Sequence, residues 1–158
     1  MDKNTLRMAI ANQLKTIDAP TRQTLSRRAC QNLLYGIDWA VITRVYCYRS
    51  QLKEIDTSWL IEELRTRNQG TIDIAPQTRD AALPETAYDL IIVPLVAFTH
   101  DGHRLGRGGG WYDRLLAAQP HAQKIGLAYE QQLVPKIPIE RHDVTLDTVF
   151  TEAGEHKP

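Results

Sequence analysis

The chain has 158 residues, a length that fits one domain, 1–158, with a core of its own. Nineteen Lys and Arg balance nineteen Asp and Glu, which leaves no broad positive field to hold DNA or RNA, and 42% hydrophobic with 24% charged residues exclude a disordered or fibrous chain. Cys30 and Cys47 lack metal-ligand spacing, MDKNTLRMAI lacks the apolar core of a leader, and no window is apolar enough to cross a bilayer, so a reduced, soluble, cytoplasmic protein without a membrane partner is expected.

In KNTLRMAIANQLK, residues 3–15, Leu6, Ile10 and Leu14 stand four apart, which predicts an amphipathic helix. Ala19-Pro20-Thr21 breaks that pattern. The spacing resumes at Leu25, Ala29 and Leu33, predicting a second helix over 21–35 with Gly36 at the place of a terminating glycine. AVITRVYCY, residues 40–48, is β-branched and aromatic and predicts the first buried strand. SQLKEID then forms a loop, and Asp56 or Thr57 is placed to cap a helix that runs to about Arg67 and ends at Asn68-Gln69-Gly70. TIDIAP and DLIIVPLVAF follow as two strands, separated by PQTRDAALPETAY, a stretch with two prolines and no apolar period that reads as a loop. Residues 111–118 open a further helix, QKIGLAY is a fourth strand and LDTVFTE a short last one. Apolar runs alternating with helices predict a parallel sheet covered on both faces.

RLGRGGGWYDR, residues 104–114, carries the most chemistry. In an open α/β sheet, ligands sit beyond the C-terminal ends of the strands, where this loop and SQLKEID both belong. Glycines let the backbone approach an anion, and the free N–H groups of the following helix favour phosphate. The stretch is neither a Walker A loop nor a GxGxxG dinucleotide turn. Arg104 and Arg107 can pair with phosphate oxygens, whereas Asp113 beside a polyphosphate would repel it unless a divalent cation intervened, which points to Mg²⁺ with a nucleotide. The plainer alternative is a tight turn with surface ion pairs, although three consecutive glycines carry an entropic cost that such a turn does not require. Glu54 either binds an amine or amide of a ligand or supports the next helix; Asp56 reads as a cap. Asp143 and Asp147 each read as capping or turn residues, and Lys3 and Arg7 as a solvated helix face. Trp111 and Tyr112 are placed to wall a pocket for a flat ring.

Taken together, DLIIVPLVAF, Asp101-Gly102 and RLGRGGGWYDR, with KEIDT upstream and GLAYEQQLVPKIPIERHDVTLDTVFTE downstream, closely resemble the 5-formyltetrahydrofolate cyclo-ligase family, also called methenyltetrahydrofolate synthetase. The resemblance implies a three-layer α/β/α fold with a mainly parallel, Rossmann-like sheet of CoA-transferase-like type behind two N-terminal helices. It implies ATP- and Mg²⁺-dependent cyclisation of 5-formyltetrahydrofolate to 5,10-methenyltetrahydrofolate, in which the formyl oxygen attacks the γ-phosphate and N10 then attacks the activated carbon, releasing ADP and phosphate. Such a reaction asks the protein mainly for positioning and charge neutralisation.

Carried over by position, the resemblance puts the ATP contacts on Lys3 and Arg7 and on Arg104, Leu105, Gly106, Arg107, Gly108, Gly109, Gly110, Trp111 and Tyr112. Arg104, Arg107 and Tyr112 take the catalytic roles, Asp113 and Asp147 the metal, and Glu54, Trp111 and Tyr112 the folate. The implied partner is a small-molecule folate, with the protein a monomer or weak homodimer. The chain departs from the family at Ala11, Asn12 and Gln13, where further basic residues are usual, and at Trp111, where Tyr or Phe is usual. A longer central segment with added strands is reduced to PQTRDAALPETAY, which abridges the folate half. A paralogue that binds nucleotide and Mg²⁺ without folate turnover is the alternative this leaves open.

Overall fold

A computed structural model describes residues 1–51, 53–67, 70–76 and 81–158. Helices α1 (Lys3–Leu14) and α2 (Ala19–Gly36) precede strand β1 (Arg44–Cys47), helix α3 (Ser58–Thr66), and strands β2 (Thr71–Ile74) and β3 (Leu90–Val93). A small hairpin of β4 (Ala97–Phe98) and β5 (Arg104–Leu105) leads into α4 (Trp111–Ala118), after which come β6 (Gln123–Leu127), β7 (Thr148–Thr151) and β8 (Gly154–His156). The main sheet has the order β2-β1-β3-β6-β7-β8, with every pairing parallel except the last.

Alternation along the strands makes two cores. Val45, Cys47, Leu90, Ile92 and Phe150 point to the face covered by α1, α2 and α3, where they meet Leu6, Ile10, Leu33 and Leu60. Tyr46, Ile91, Val93 and Val149 point to the other face, against Leu115 and Leu116 of α4. Helix, sheet and helix thus form the three layers expected from the pattern of apolar runs.

Local chemistry moved several boundaries. Asp18 starts α2 two residues ahead of the expected Thr21, because its carboxylate accepts the Thr21 N–H at 2.8 Å and Pro20 falls in the first turn, where a missing N–H costs nothing. Gly36, expected to stop that helix, is its last residue and serves packing instead: a Cβ there would lie 2.5 Å from the Phe150 ring. The single strand expected over 89–98 is cut at Pro94, which has no N–H to give to a central sheet position. The chain beyond it turns out of the sheet into the β4–β5 hairpin and returns Arg104 beneath Pro94, whose carbonyl accepts from Arg104 Nη1 at 3.2 Å. Strand β8 was not expected; it covers the β7 edge after a turn at Glu152-Ala153. The helix end expected at Asn68 and Gln69 lies outside the described residues, as do Gln77 to Asp80 of the central loop. Cys30 and Cys47 are both buried free thiols. Among the described residues no helix is long and apolar enough to cross a membrane.

Candidate functional site

A cleft of about 1110 Å³ opens at the C-terminal ends of β1, β2 and β3. Its floor is formed by residues that follow these strands: Arg49 and Ser50, Ala75 and Pro76, Pro94 and Leu95. One wall is the glycine loop from Arg104 to Arg114 with the start of α1 above it; Gln51 and Glu54 stand on the opposite wall, and Pro138 to Asp143 close one end.

Backbone shape accounts for the glycines. Gly108 and Gly110 have φ of 117° and 70°, a region that residues with a Cβ enter only at a cost, and Gly110 turns the chain into α4. Gly106 leaves room for another group: a Cβ there would lie 2.9 Å from Arg104 Nη1 and would displace that guanidinium. Gly109 has nothing within 4 Å of such a Cβ, so the loop's own packing does not require it. Leu105 is buried in β5, where its carbonyl accepts the Val96 N–H, and it borders the cleft from there.

Arg104 supports the loop from below. Its side chain is only 3% exposed, and Nη2 stands 3.3 Å from Asp113 Oδ1 while Nε has no partner. Burial drives the guanidinium pKa down and Asp113 opposes it. The same Asp113 oxygen accepts the Val144 N–H at 3.2 Å, which ties α4 to the 140–144 segment and brings Asp143 to the same end of the cleft. Asp143 Oδ2 accepts the Glu140 N–H at 2.8 Å and meets Lys3 Nζ at 2.9 Å. Burial pushes Asp143 upward, but those two partners outweigh it and hold the carboxyl below its ordinary range. Lys3 also reaches Glu140 at 3.1 Å; burial alone would lower its pKa, and the two carboxylates raise it instead. Arg7 donates through Nε to the Gly106 carbonyl at 2.7 Å, so α1 is pinned to the glycine loop.

On the other wall Glu54 is nearly buried, with a side chain 10% exposed. Its Oε1 accepts the Gln51 N–H at 2.8 Å and its Oε2 stands 3.1 Å from Arg107 Nη2. Burial raises the Glu54 pKa, and Arg107 is the first of the groups that oppose this. Trp111 and Tyr112 pack edge to face with centroids 4.9 Å apart; the Trp111 indole donates to the Ala81 carbonyl at 2.9 Å, so the short central loop rests on it. Burial also raises the Tyr112 phenol, which therefore stays protonated near neutral pH and can donate.

The cleft gathers Lys3, Arg7, Glu54, the whole loop from Arg104 to Tyr112, and Asp113. It does not include Asp147, and the expectation for that residue is corrected. Asp147 directly precedes β7, at the N-terminal edge of a parallel sheet, where its carboxylate accepts the Lys124 N–H at 2.8 Å. Asp143, four residues earlier, does line the cleft with Asp113, as do Asp2, Glu54 and Glu140. Strand direction carried the signal, since a residue just ahead of a parallel strand lies at the end opposite the ligands. Gln51 was also missed: nothing in its sequence neighbourhood marks it, and its role arises from contacts across the cleft.

Among the described residues no group of three or more His, Cys, Asp or Glu side chains is placed to hold a metal ion. Asp113 and Asp143 fit a different kind of site, in which two carboxylates supply part of the shell of Mg²⁺ and phosphate oxygens and water the rest. The class of protein is a three-layer α/β fold with a glycine loop, several carboxylates and a nearly buried glutamate around a cleft at the strand ends.

Residues 68–152 match the 5-formyltetrahydrofolate cyclo-ligase family. A 5-formyltetrahydrofolate cyclo-ligase of Escherichia coli (strain K12) is 48% identical over 71 residues, covering 44% of this chain and 39% of that protein, so the matched stretch spans about two fifths of its length. One of Mus musculus is 25% identical over 189 residues, covering 95% of this chain and 93% of the mouse protein. The solved structure of a 5,10-methenyltetrahydrofolate synthetase from Mycoplasma pneumoniae superposes with a TM-score of 0.81 at 27% identity, covering 96% of this chain and 99% of that one. The chain belongs to the 5-formyltetrahydrofolate cyclo-ligase family.

Proposed function

We propose that the protein catalyses the ATP- and Mg²⁺-dependent closure of 5-formyltetrahydrofolate to 5,10-methenyltetrahydrofolate, with ADP and phosphate released, and that it does so in the cytoplasm as a monomer or weak homodimer. The observation that carries the reading is the convergence, in one cleft, of the glycine cradle, the Asp113 and Asp143 carboxylates and the buried Glu54. Backbone N–H groups of the cradle and of the first turn of α4 face the phosphates, and the helix dipole adds to their pull. Lys3, Arg7 and Arg107 supply positive charge around the same anion. Arg104 acts through Asp113, which it holds in place from beneath the loop.

Mg²⁺, when bound, neutralises charge that builds on the phosphate oxygens. Asp113 and Asp143 are the residues that would hold it, and Lys3, which pairs with Asp143, adds positive charge at the same end of the cleft. Glu54 accepts N–H groups of the pterin, and Trp111 and Tyr112 flank its ring with Ala75 and Pro76 as the floor. Bringing the formyl oxygen to the γ-phosphate and N10 to the formyl carbon is then a matter of orientation in a closed cleft. The test is direct: purified protein with 5-formyltetrahydrofolate, Mg²⁺ and ATP is expected to form the methenyl product, followed by its absorbance. ATP binding without product would sink the reading and leave a nucleotide-binding paralogue.

A further inference from the structure

Gln51 touches both walls of the cleft. Its backbone N–H donates to Glu54 Oε1 at 2.8 Å, its side-chain oxygen accepts from Arg107 Nη1, and its carbonyl accepts from Arg22 Nη2 at 2.9 Å. Arg107 completes a triangle through Nη2, 3.1 Å from the other Glu54 oxygen. Arg22 steadies the base of this arrangement a second time by donating through Nε to the Glu54 carbonyl at 3.0 Å.

We propose that Gln51 is a positioning residue that holds the Arg107 guanidinium on Glu54 in the free chain, and that the opening of this clasp couples the binding of the two substrates. The inference rests on the cyclo-ligase reading given above. Within the clasp the two sides differ in freedom. The Glu54 side chain is 10% exposed and anchored from Gln51 and Arg22, whereas that of Arg107 is 42% exposed and hangs from a loop flanked by Gly106 and Gly108. Arg107 is therefore the part that moves.

A guanidinium with a planar fork serves one pair of acceptors well at a time. With Gln51 and Glu54 as that pair, Arg107 spans the cleft instead of facing the phosphates. A pterin amine or amide on Glu54 takes over the carboxylate and sends Arg107 back to the cradle that its own backbone helps to form. A phosphate that draws Arg107 away leaves a buried carboxylate in need of a donor, which the pterin supplies. Each ligand thus opens the clasp for the other, and by linkage each raises the other's affinity by the same factor.

The experiment is calorimetric titration of the full chain with Mg²⁺ and a non-hydrolysable β,γ-imido analogue of ATP, with and without saturating 5-formyltetrahydrofolate. The analogue is expected to bind roughly tenfold tighter when the folate is present. Gln51→Ala, at an exposed loop position, should cut that factor several-fold without weakening either ligand alone, and Gln51→Glu, which restores an acceptor to Arg107, should bring it back. Equal affinities with and without folate in the parent chain overturn the inference, as does an undiminished factor in Gln51→Ala. Binding of the analogue with no folate binding at all sinks the underlying functional reading, and the inference with it.

Discussion

The two walls of the cleft reach the same end by opposite means. On the glycine side the binding surface is backbone, shaped by residues that lack side chains and propped from below by one buried guanidinium, Arg104. On the Glu54 side the binding surface is a side chain, and its neighbours Gln51, Arg22 and Arg107 hold it with long polar arms. On the proposed reading the first wall gains from rigidity, and the second exchanges partners. Their responses to substitution should differ accordingly.

The largest effect is expected at Arg104. Arg104→Ala removes one partner of a buried pair and leaves Asp113 without its cation, which should cost about 3–5 kcal/mol in urea unfolding. A loss below about 1 kcal/mol would mean that the loop does not rest on this side chain. Next come the two aspartates. Asp143→Asn should weaken Mg²⁺-nucleotide binding by roughly tenfold or more, the scale of one charge-assisted contact. Asp147→Ala should leave nucleotide affinity unchanged and cost only a little thermal stability through the lost Lys124 N–H contact. The reverse outcome in titration calorimetry would return the metal role to Asp147.

Gly110→Ala is expected to cost about 1 kcal/mol, because φ of 70° must then be held by a residue with a Cβ. An unchanged melting temperature would show that the entry to α4 can relax. Glu54→Gln separates the walls by pH. Burial raises the Glu54 pKa, so the folded chain holds this proton more tightly than the unfolded one. The associated stability is present below the unfolded carboxyl range and is lost as pH rises through the folded value. The melting temperature of Glu54→Gln, relative to the parent, should therefore climb from acid to neutral pH. A constant difference would show that Arg107 fully offsets the burial.

The same contrast decides what the sequence made legible. The helix over 3–15, the turn into α4 and the alternating apolar strands are local patterns, and the structure follows them. The cluster of glycines and arginines at residues 104–113 was equally visible, and it lines the cleft. What escaped depends on the path of the chain in space. Pro94 ends β3 because that strand is paired on both sides, and β8 forms because a sheet edge is available to it. Asp147 took its metal role from the family resemblance, whereas the direction of β7 puts it at the far edge, in the capping role its own neighbourhood suggested. Gln51 has no local signature, and its significance comes from Arg107, 56 residues away.

The two thiols have a practical use. Cys30 lies in α2 and Cys47 in β1, on facing layers of one core, and burial is the first cause that raises both above the ordinary thiol range, Cys47 to about 12. The reactive form is the thiolate, so an alkylating reagent meets neither sulfur until helix and sheet part. Labelling of the unmodified chain would then act as a clock for that separation, and ligands that bind only the folded chain should slow it in proportion to their occupancy.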